Sequence, residues 1–198
     1  MMRRLLLGTL VLLLGACAAP APTTVDPLAA LRRPDGTVVW QEEYAFLSPP
    51  APWSLVSLDE DDYSIAFAKE CGDYFPCQST LAYAEEPFGY SKDFEKRATE
   101  FFKRFLWASR VVFGEPRFEP ATFDGKPALV ARIEGKERVK GQKVAAKIVF
   151  ARRGERVVGF YYTQWRPEQI AYDPVDEKAF DAFVDSFKFV KPSFYEQL

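Results

Sequence analysis

Hydrophobic and polar positions change period several times along the chain. Residues 37–47 alternate in type and are rich in Val, Trp, Tyr and Phe until Ser48-Pro49-Pro50-Ala51-Pro52 halts them, which predicts a strand. Residues 53–58 and 63–69 then read as a hairpin around Asp59-Glu60-Asp61-Asp62. That acidic run lacks the spaced ligands, glycine and terminal Glu of a calcium loop and reads as a solvated turn. Residues 79–85 predict a further strand. From Ser91 to Ser109 the period lengthens: Phe94, Ala98, Phe101, Phe102, Phe105 and Leu106 recur at helical spacing, opposite Glu95, Lys96, Arg97, Glu100, Lys103 and Arg104. Ser91 is placed as the N-cap, and Gly114 with Pro116 ends any continuation.

Residues 117–165 read as a four-stranded meander, because Asp124-Gly125, Lys140-Gly141 and Arg153-Gly154 separate runs of β-branched and aromatic residues. In the third of these strands Val144, Ala146, Ile148 and Phe150 oppose Lys143 and Lys147, which predicts a strand near an edge or with one wet face. The fourth, residues 157–165, is largely apolar on both faces and predicts a central strand covered on both sides. Asp173 and Pro174 supply the cap and first position of a second amphipathic helix. Asp176 and Glu177 favour the positive end of its dipole, and Ala179, Phe180, Phe183, Val184 and Phe187 form its apolar stripe. The sum is an α+β fold, an antiparallel sheet with amphipathic helices packed on both faces.

The N-terminus follows a different logic. Arg3 and Arg4 precede an almost unbroken apolar run from Leu5 to Gly15, long enough for an export signal and too short to span a bilayer. Leu14-Gly15-Ala16-Cys17 resembles the bacterial lipobox. The resemblance implies cleavage before Cys17 and acylation of its thiol. Ala18, where an Asp would resemble an inner-membrane retention signal, implies the outer membrane and a periplasm-facing domain. Residues 1–16 are then the signal peptide and 17–35, with four prolines after Cys17 and no aromatic residue, a tether. A single α+β domain is expected over 36–190, and a short tail over 191–198.

Composition narrows the chemistry. The 198 residues include no histidine, which removes Ser-His-Asp and Cys-His nucleophiles, HExxH zinc sites and haem ligation. Losing Arg3 and Arg4 from 26 basic residues, and none of 28 acidic ones, leaves the mature side chains at −4, a poor balance for nucleic acid. Besides Cys17 there are only Cys71 and Cys77, an exported pair that reads as a structural disulfide. A metal site would need further Cys or His. No phosphate-cradling or serine-nucleophile motif is present, so no cofactor and no enzymatic activity are expected, although two acids suitably spaced in a cleft remain open as a hydrolase.

Tyr44-Ala45-Phe46 running into Pro52-Trp53-Ser54, a mid-chain amphipathic helix, a Gly-punctuated meander and the terminal Phe180, Phe183, Ser186, Phe187, Lys188 together resemble the PsbP-like class, which includes DcrB-type bacterial lipoproteins. The resemblance covers residues 37–190 and departs from the class at the Cys71–Cys77 loop. It implies an α/β/α sandwich and a non-enzymatic accessory or assembly role, with no catalytic residue to carry over.

Two surface readings stand beside it. Lys136, Arg138, Lys140, Lys143, Lys147, Arg152, Arg153 and Arg156, together with Arg132, exceed the nearby acids by six. They form either a patch for anionic lipid, polysaccharide or an acidic envelope protein, or a sheet edge kept soluble by lysine. Tyr161, Tyr162 and Trp165 line a pocket for a small apolar or lipid-like ligand, or simply fill the core. The expected function is accordingly a membrane-anchored binding or assembly protein of the envelope, with a carrier or sensor of such a ligand as the alternative.

Overall fold

The computed structural model describes residues 26–61, 63–72, 77–86, 92–109 and 111–191, with the side chains of 105–109 outside that description. Strands β1 (Thr37–Trp40), β2 (Tyr44–Leu47), β3 (Ser54–Asp59), β4 (Ser64–Glu70) and β5 (Gln78–Glu85) precede helix α1 (Phe94–Ser109). Then come β6 (Val111–Phe113), β7 (Phe118–Phe123), β8 (Lys126–Glu137), β9 (Lys143–Arg153), β10 (Arg156–Arg166), helix α2 (Pro174–Ser186) and β11 (Lys188–Phe189). The fold is α+β: mostly antiparallel sheet with two helices. The large sheet runs β3-β4-β5-β10-β9-β8, with β6 and β7 both pairing on β8, and a small sheet runs β1-β2-β11.

Turn chemistry sets the meander. Asp124 and Gly125, at φ 49° and 72°, close a two-residue loop between Phe123 and Lys126, and positive φ at both positions is what a type I′ turn requires. Antiparallel pairing then continues through β8, β9 and β10. β10 lies between β5 and β9 and is buried along nearly its whole length. It contributes alternate residues to two buried clusters. Val158, Phe160 and Tyr162 join Phe180, Phe183 and Val184 of α2, together with Trp40, Tyr44 and Phe46 of the small sheet. Val157 and Tyr161 join Ala98 and Phe102 of α1 with Ile148 and Phe150.

Three expectations change. Residues 37–47 are two strands: Gln41 and Glu42 take φ of 51° and 56°, and Trp40 pairs back onto Tyr44. No glycine marks this turn, so its residue types conceal it. β9 is internal, between β8 and β10, and the face carrying Lys147 lies under α2, where Glu177 and Asp181 neutralise the amine. The last part of the expected tether is packed, since Ala29–Leu31 forms a single 3-10 turn, Arg32 bridges to Val38, and Leu28 is only 2% exposed within the core. Leu28 and Leu31 are spaced for one helical turn against the domain, but two leucines between prolines set no longer period.

Ser91, expected to cap α1, lies outside the described residues; Asp93 accepts from the Lys96 amide at 3.1 Å. For α2 the expected cap holds: Asp173 accepts from Val175 N at 2.9 Å, followed by Pro174.

If Leu28 belongs to the core, Leu28→Ala should destabilise the protein by about 2–4 kcal/mol. Denaturant unfolding monitored by tryptophan fluorescence measures this; a change under 0.5 kcal/mol would return residues 26–35 to the tether.

Candidate functional site

The basic residues expected to form one patch are divided. β9 spans roughly 30 Å from Lys143 to Arg153. Lys136, Arg138, Lys140 and Lys143 therefore cluster at the β8–β9 end, while Arg152, Arg153 and Arg156 lie at the β9–β10 end. Several are occupied internally. Lys147 Nζ lies 2.5 Å from Asp181 and 3.1 Å from Glu177, and Arg132 reaches Glu177 at 3.3 Å. Arg152 stacks over Phe94 of α1 at 4.7 Å, whereas Lys143 sits over Tyr172 at 5.0 Å. Lys136 lies 3.9 Å from Glu168. The exposed members nearest one another are Lys136, Arg138 and Lys140.

Arg153 is almost wholly buried. It bonds Glu85 at 2.6 Å and contacts Glu43 and the Tyr44 hydroxyl, while Arg156 reaches Glu85 at 2.7 Å. Tyr44 and Tyr83 each donate to Glu85 Oε1 at 2.7 Å. Burial alone would raise the Glu85 pKa, but the two tyrosine hydrogen bonds and the charge of Arg153 outweigh it and hold the carboxyl below the ordinary glutamate value. This knot joins the small sheet to the large one.

A second knot fixes the start of α2. Asp176 accepts from Ser79 at 2.5 Å, Lys69 at 2.6 Å and Arg166 at 3.2 Å, and Arg166 also donates to Ser79 at 2.7 Å. Beside α1, buried Glu86 takes Arg97 at 2.7 Å and Arg104 at 3.1 Å. Sequence reasoning missed these acids, yet two carried a signal. Glu85 shares the parity of Ser79, Leu81 and Tyr83, the buried face of β5. Asp176 precedes Phe180 by one helical turn on the inward stripe.

A cavity of about 450 Å³ opens between β8, β9 and β10 and the start of α2, lined in part by Arg132, Ala145, Lys147, Tyr162, Tyr172 and Glu177. Of the three aromatics proposed as pocket walls, Tyr162 is here, while Tyr161 belongs to the α1 cluster and Trp165 shares the parity of Tyr161. Tyr162 is 2% exposed, and its hydroxyl is buried beside Gln164, presenting no surface to the cavity. Burial, with help from Glu134 and Glu168, pushes the Tyr172 phenol up to about 12.

Cys71 and Cys77 form a disulfide with Cα atoms 5.3 Å apart. Cys17 lies outside the described residues. Among those residues no group of three or more Cys, Asp or Glu is placed to hold a metal ion, and no helix is long and apolar enough to cross a membrane.

No family model and no curated protein matches the chain. Solved structures similar to it include PA94, a Pseudomonas aeruginosa protein of unknown function suggested to be a regulator, at 13% identity and TM-score 0.48, covering 71% of this chain and 99% of that one. Another is LpqN, involved in cell envelope biogenesis of Mycobacterium tuberculosis, at 14% identity and TM-score 0.46, covering 75% of this chain and 83% of that one. Likeness at this level carries no function over to this chain.

Glu85→Gln should cost roughly 3–5 kcal/mol at neutral pH, because Arg153 and Arg156 lose their buried counter-charge. The folded pKa of Glu85 is depressed, so its contribution is complete above the unfolded glutamate pKa and is lost as pH falls through the folded one. Urea unfolding from pH 7 to pH 3 should therefore show the gap between native and variant protein narrowing on acidification; a constant gap would refute the assignment.

Proposed function

We propose that this protein is a non-catalytic lipoprotein of the bacterial envelope, acylated at Cys17, whose domain serves another envelope component as a binding or assembly accessory. The observation that carries this reading is Leu14-Gly15-Ala16-Cys17 directly behind a short apolar run with two arginines before it. Each buried CH₂ of an attached acyl chain contributes about 0.8 kcal/mol, so a multiply acylated Cys17 would hold the chain at a bilayer essentially permanently. Ala18 favours the outer membrane and a domain facing the periplasm. The Cys71–Cys77 disulfide is compatible with that oxidising compartment.

The described residues start at Asp26, nine positions after Cys17, so full extension of the intervening chain would put at most roughly 30 Å between Asp26 and the anchor. We read this domain as single and as an α/β/α sandwich of the PsbP-like kind, a reading supported by two buried clusters that each draw on one helix. The absence of histidine and of nucleophile motifs supports a non-catalytic role. For an anionic partner the available contact is the β8–β9 tip, with Lys136, Arg138 and Lys140, in place of the whole basic run.

A second reading, a carrier or sensor of a small ligand, is favoured by the cavity beside α2.

Cys17→Ser should move the protein from the membrane fraction to the soluble one; sedimentation unchanged from the native chain would end the lipoprotein reading. Reversing Lys136, Arg138 and Lys140 to Glu should weaken binding to vesicles containing anionic phospholipid by roughly a hundredfold or more at low salt, since each basic residue near such a surface is worth ~1 kcal/mol. Equal binding by the reversed and native chains would remove the tip as a contact.

A further inference from the structure

Six large apolar residues are exposed among the described ones, and three of them gather at one end of the large sheet. Val139, 78% exposed, sits in the turn between β8 and β9, and Val112, 56% exposed, stands on β6 opposite Lys136. Val175, 63% exposed, lies in the first turn of α2, next to the helix cap Asp173 that bonds Gln164 near the end of β10. Single exposed apolar side chains are ordinary, but these three are not scattered.

The β8–β9 hairpin reaches farthest at this end. Its pair Lys136 and Lys143 is level with Arg166, the last residue of β10, while β4 and β5 stop one pair earlier at Glu70 and Gln78. Glu137 N donates to Gln142 O at 2.8 Å, and the turn lies beyond. There the Glu137 carboxylate accepts from the Val139 amide at 2.9 Å and from that of Lys140, and Gly141, at φ 67°, donates back to Glu137 O at 3.1 Å. The turn is thus shaped by its own hydrogen bonds and presents Val139 outward.

Charges deeper in this end are matched: Asp173 and Asp176 hold Lys69, Asp176 holds Arg166, and Glu177 holds Lys147 and Arg132. At the turn the balance is positive. Arg138 and Lys140 flank Val139 with Lys136 and Lys143 behind them, against Glu137 at the base of the turn, Glu134 two residues before Lys136, and Glu168 at 3.9 Å from Lys136. Such flanking side chains can lay their stems along an apolar surface and keep their charges among headgroups.

The chain from Cys17 arrives near this end. Asp26 shares a groove with Trp53 and Ser54, and Ser54 at the start of β3 is level, through the ladders, with Ile133 of β8. Three residues, about 10 Å, separate Ile133 from Lys136. Nine positions of chain can span roughly 30 Å, so an anchor at Cys17 and the β8–β9 turn can meet one surface.

We infer that the β8–β9 turn docks on the anionic phospholipid surface that holds the Cys17 acyl chains, with Val139 entering the headgroup region between Arg138 and Lys140. The inference rests on the lipoprotein reading and adds an orientation to it: the domain stands on its membrane by this end.

The test puts one fluorophore at a time on the acylated full chain in vesicles. With Cys17 acylated and Cys71 bonded to Cys77, the cysteine of Val139→Cys, Val112→Cys or Lys126→Cys is the one reactive thiol for a nitrobenzoxadiazole label. Lys126 stands at the opposite end of β8. In vesicles of phosphatidylglycerol and phosphatidylcholine, phospholipid bearing a nitroxide near its headgroup should quench the label at position 139 and leave that at 126 bright. In phosphatidylcholine alone both should stay bright. On the chain labelled at position 112, Val139→Ser should lower the ratio of docked to undocked domain by about tenfold, the loss of one buried valine. Arg138→Glu with Lys140→Glu should lower it by roughly a hundredfold or more. Circular dichroism should match the native chain; if Val139→Ser alters it, Val139→Thr replaces it. Quenching at 126 in place of 139, or at neither while the chain stays with the vesicles, would overturn the inference and leave the lipoprotein reading standing. Equal quenching at 139 in phosphatidylcholine alone would overturn the choice of anionic lipid, and docking unchanged by the valine substitution would overturn the role of Val139. Label taken up at Cys17 by the native chain would show that thiol unmodified and end both readings.

Discussion

A strand that is apolar on both sides of its pleat must be covered twice, and β10 imposes this requirement on the whole chain. Phe160 and Tyr162 need one set of partners, Val157 and Tyr161 another, because successive side chains diverge. The first set recruits α2 and the small sheet, and the second recruits α1. Buried charged residues are consequently held in ion pairs, mid-strand at Lys147 and at the strand ends elsewhere. Glu85 with Arg153 and Asp176 with Arg166 stand at opposite ends of the β5–β10 ladder, where Val158 faces Glu85 and Trp165 faces Gln78. Each knot also ties a covering element to the large sheet, the small sheet in one case and α2 in the other.

Features set by neighbours in sequence were legible. The meander could be read from Asp124-Gly125 and the other glycine-bearing turns, and α2 from Asp173-Pro174 and the spacing of Phe180, Phe183 and Phe187. Features set by distant partners were not. Lys147 looks like a solvent-facing lysine until α2, more than thirty residues later, supplies Asp181. Arg153 looks like a turn residue until β2 and β5 bring Tyr44 and Glu85 to it. Gln41 and Glu42 adopt a left-handed backbone that their residue types do not announce, so a hairpin passed for one strand.

This division bears directly on the candidate site. A count of charges along the chain treats each basic residue as a source of external field, whereas in the fold several are neutralised by acids from other elements. Local charge excess predicts an anion-binding surface only when the compensating acids lie elsewhere, and here Glu43, Glu85, Glu177 and Asp181 do not. Arg138 and Lys140 lie in the turn between β8 and β9, and Lys136 lies in the last pair of their ladder, opposite Lys143, at the end away from Glu43 and Glu85.

The same pairing shapes what the cavity can hold. Had Lys147 been left uncountered beneath α2, its desolvated ammonium would have attracted any small acid that fitted. Asp181 and Glu177 remove that attraction and tie β9 to α2. A small acid entering there would have to displace one of these carboxylates from the amine before it could bind it. The ion pairs that hold α2 against the sheet therefore also set how much charge Lys147 presents to the open cavity beside it.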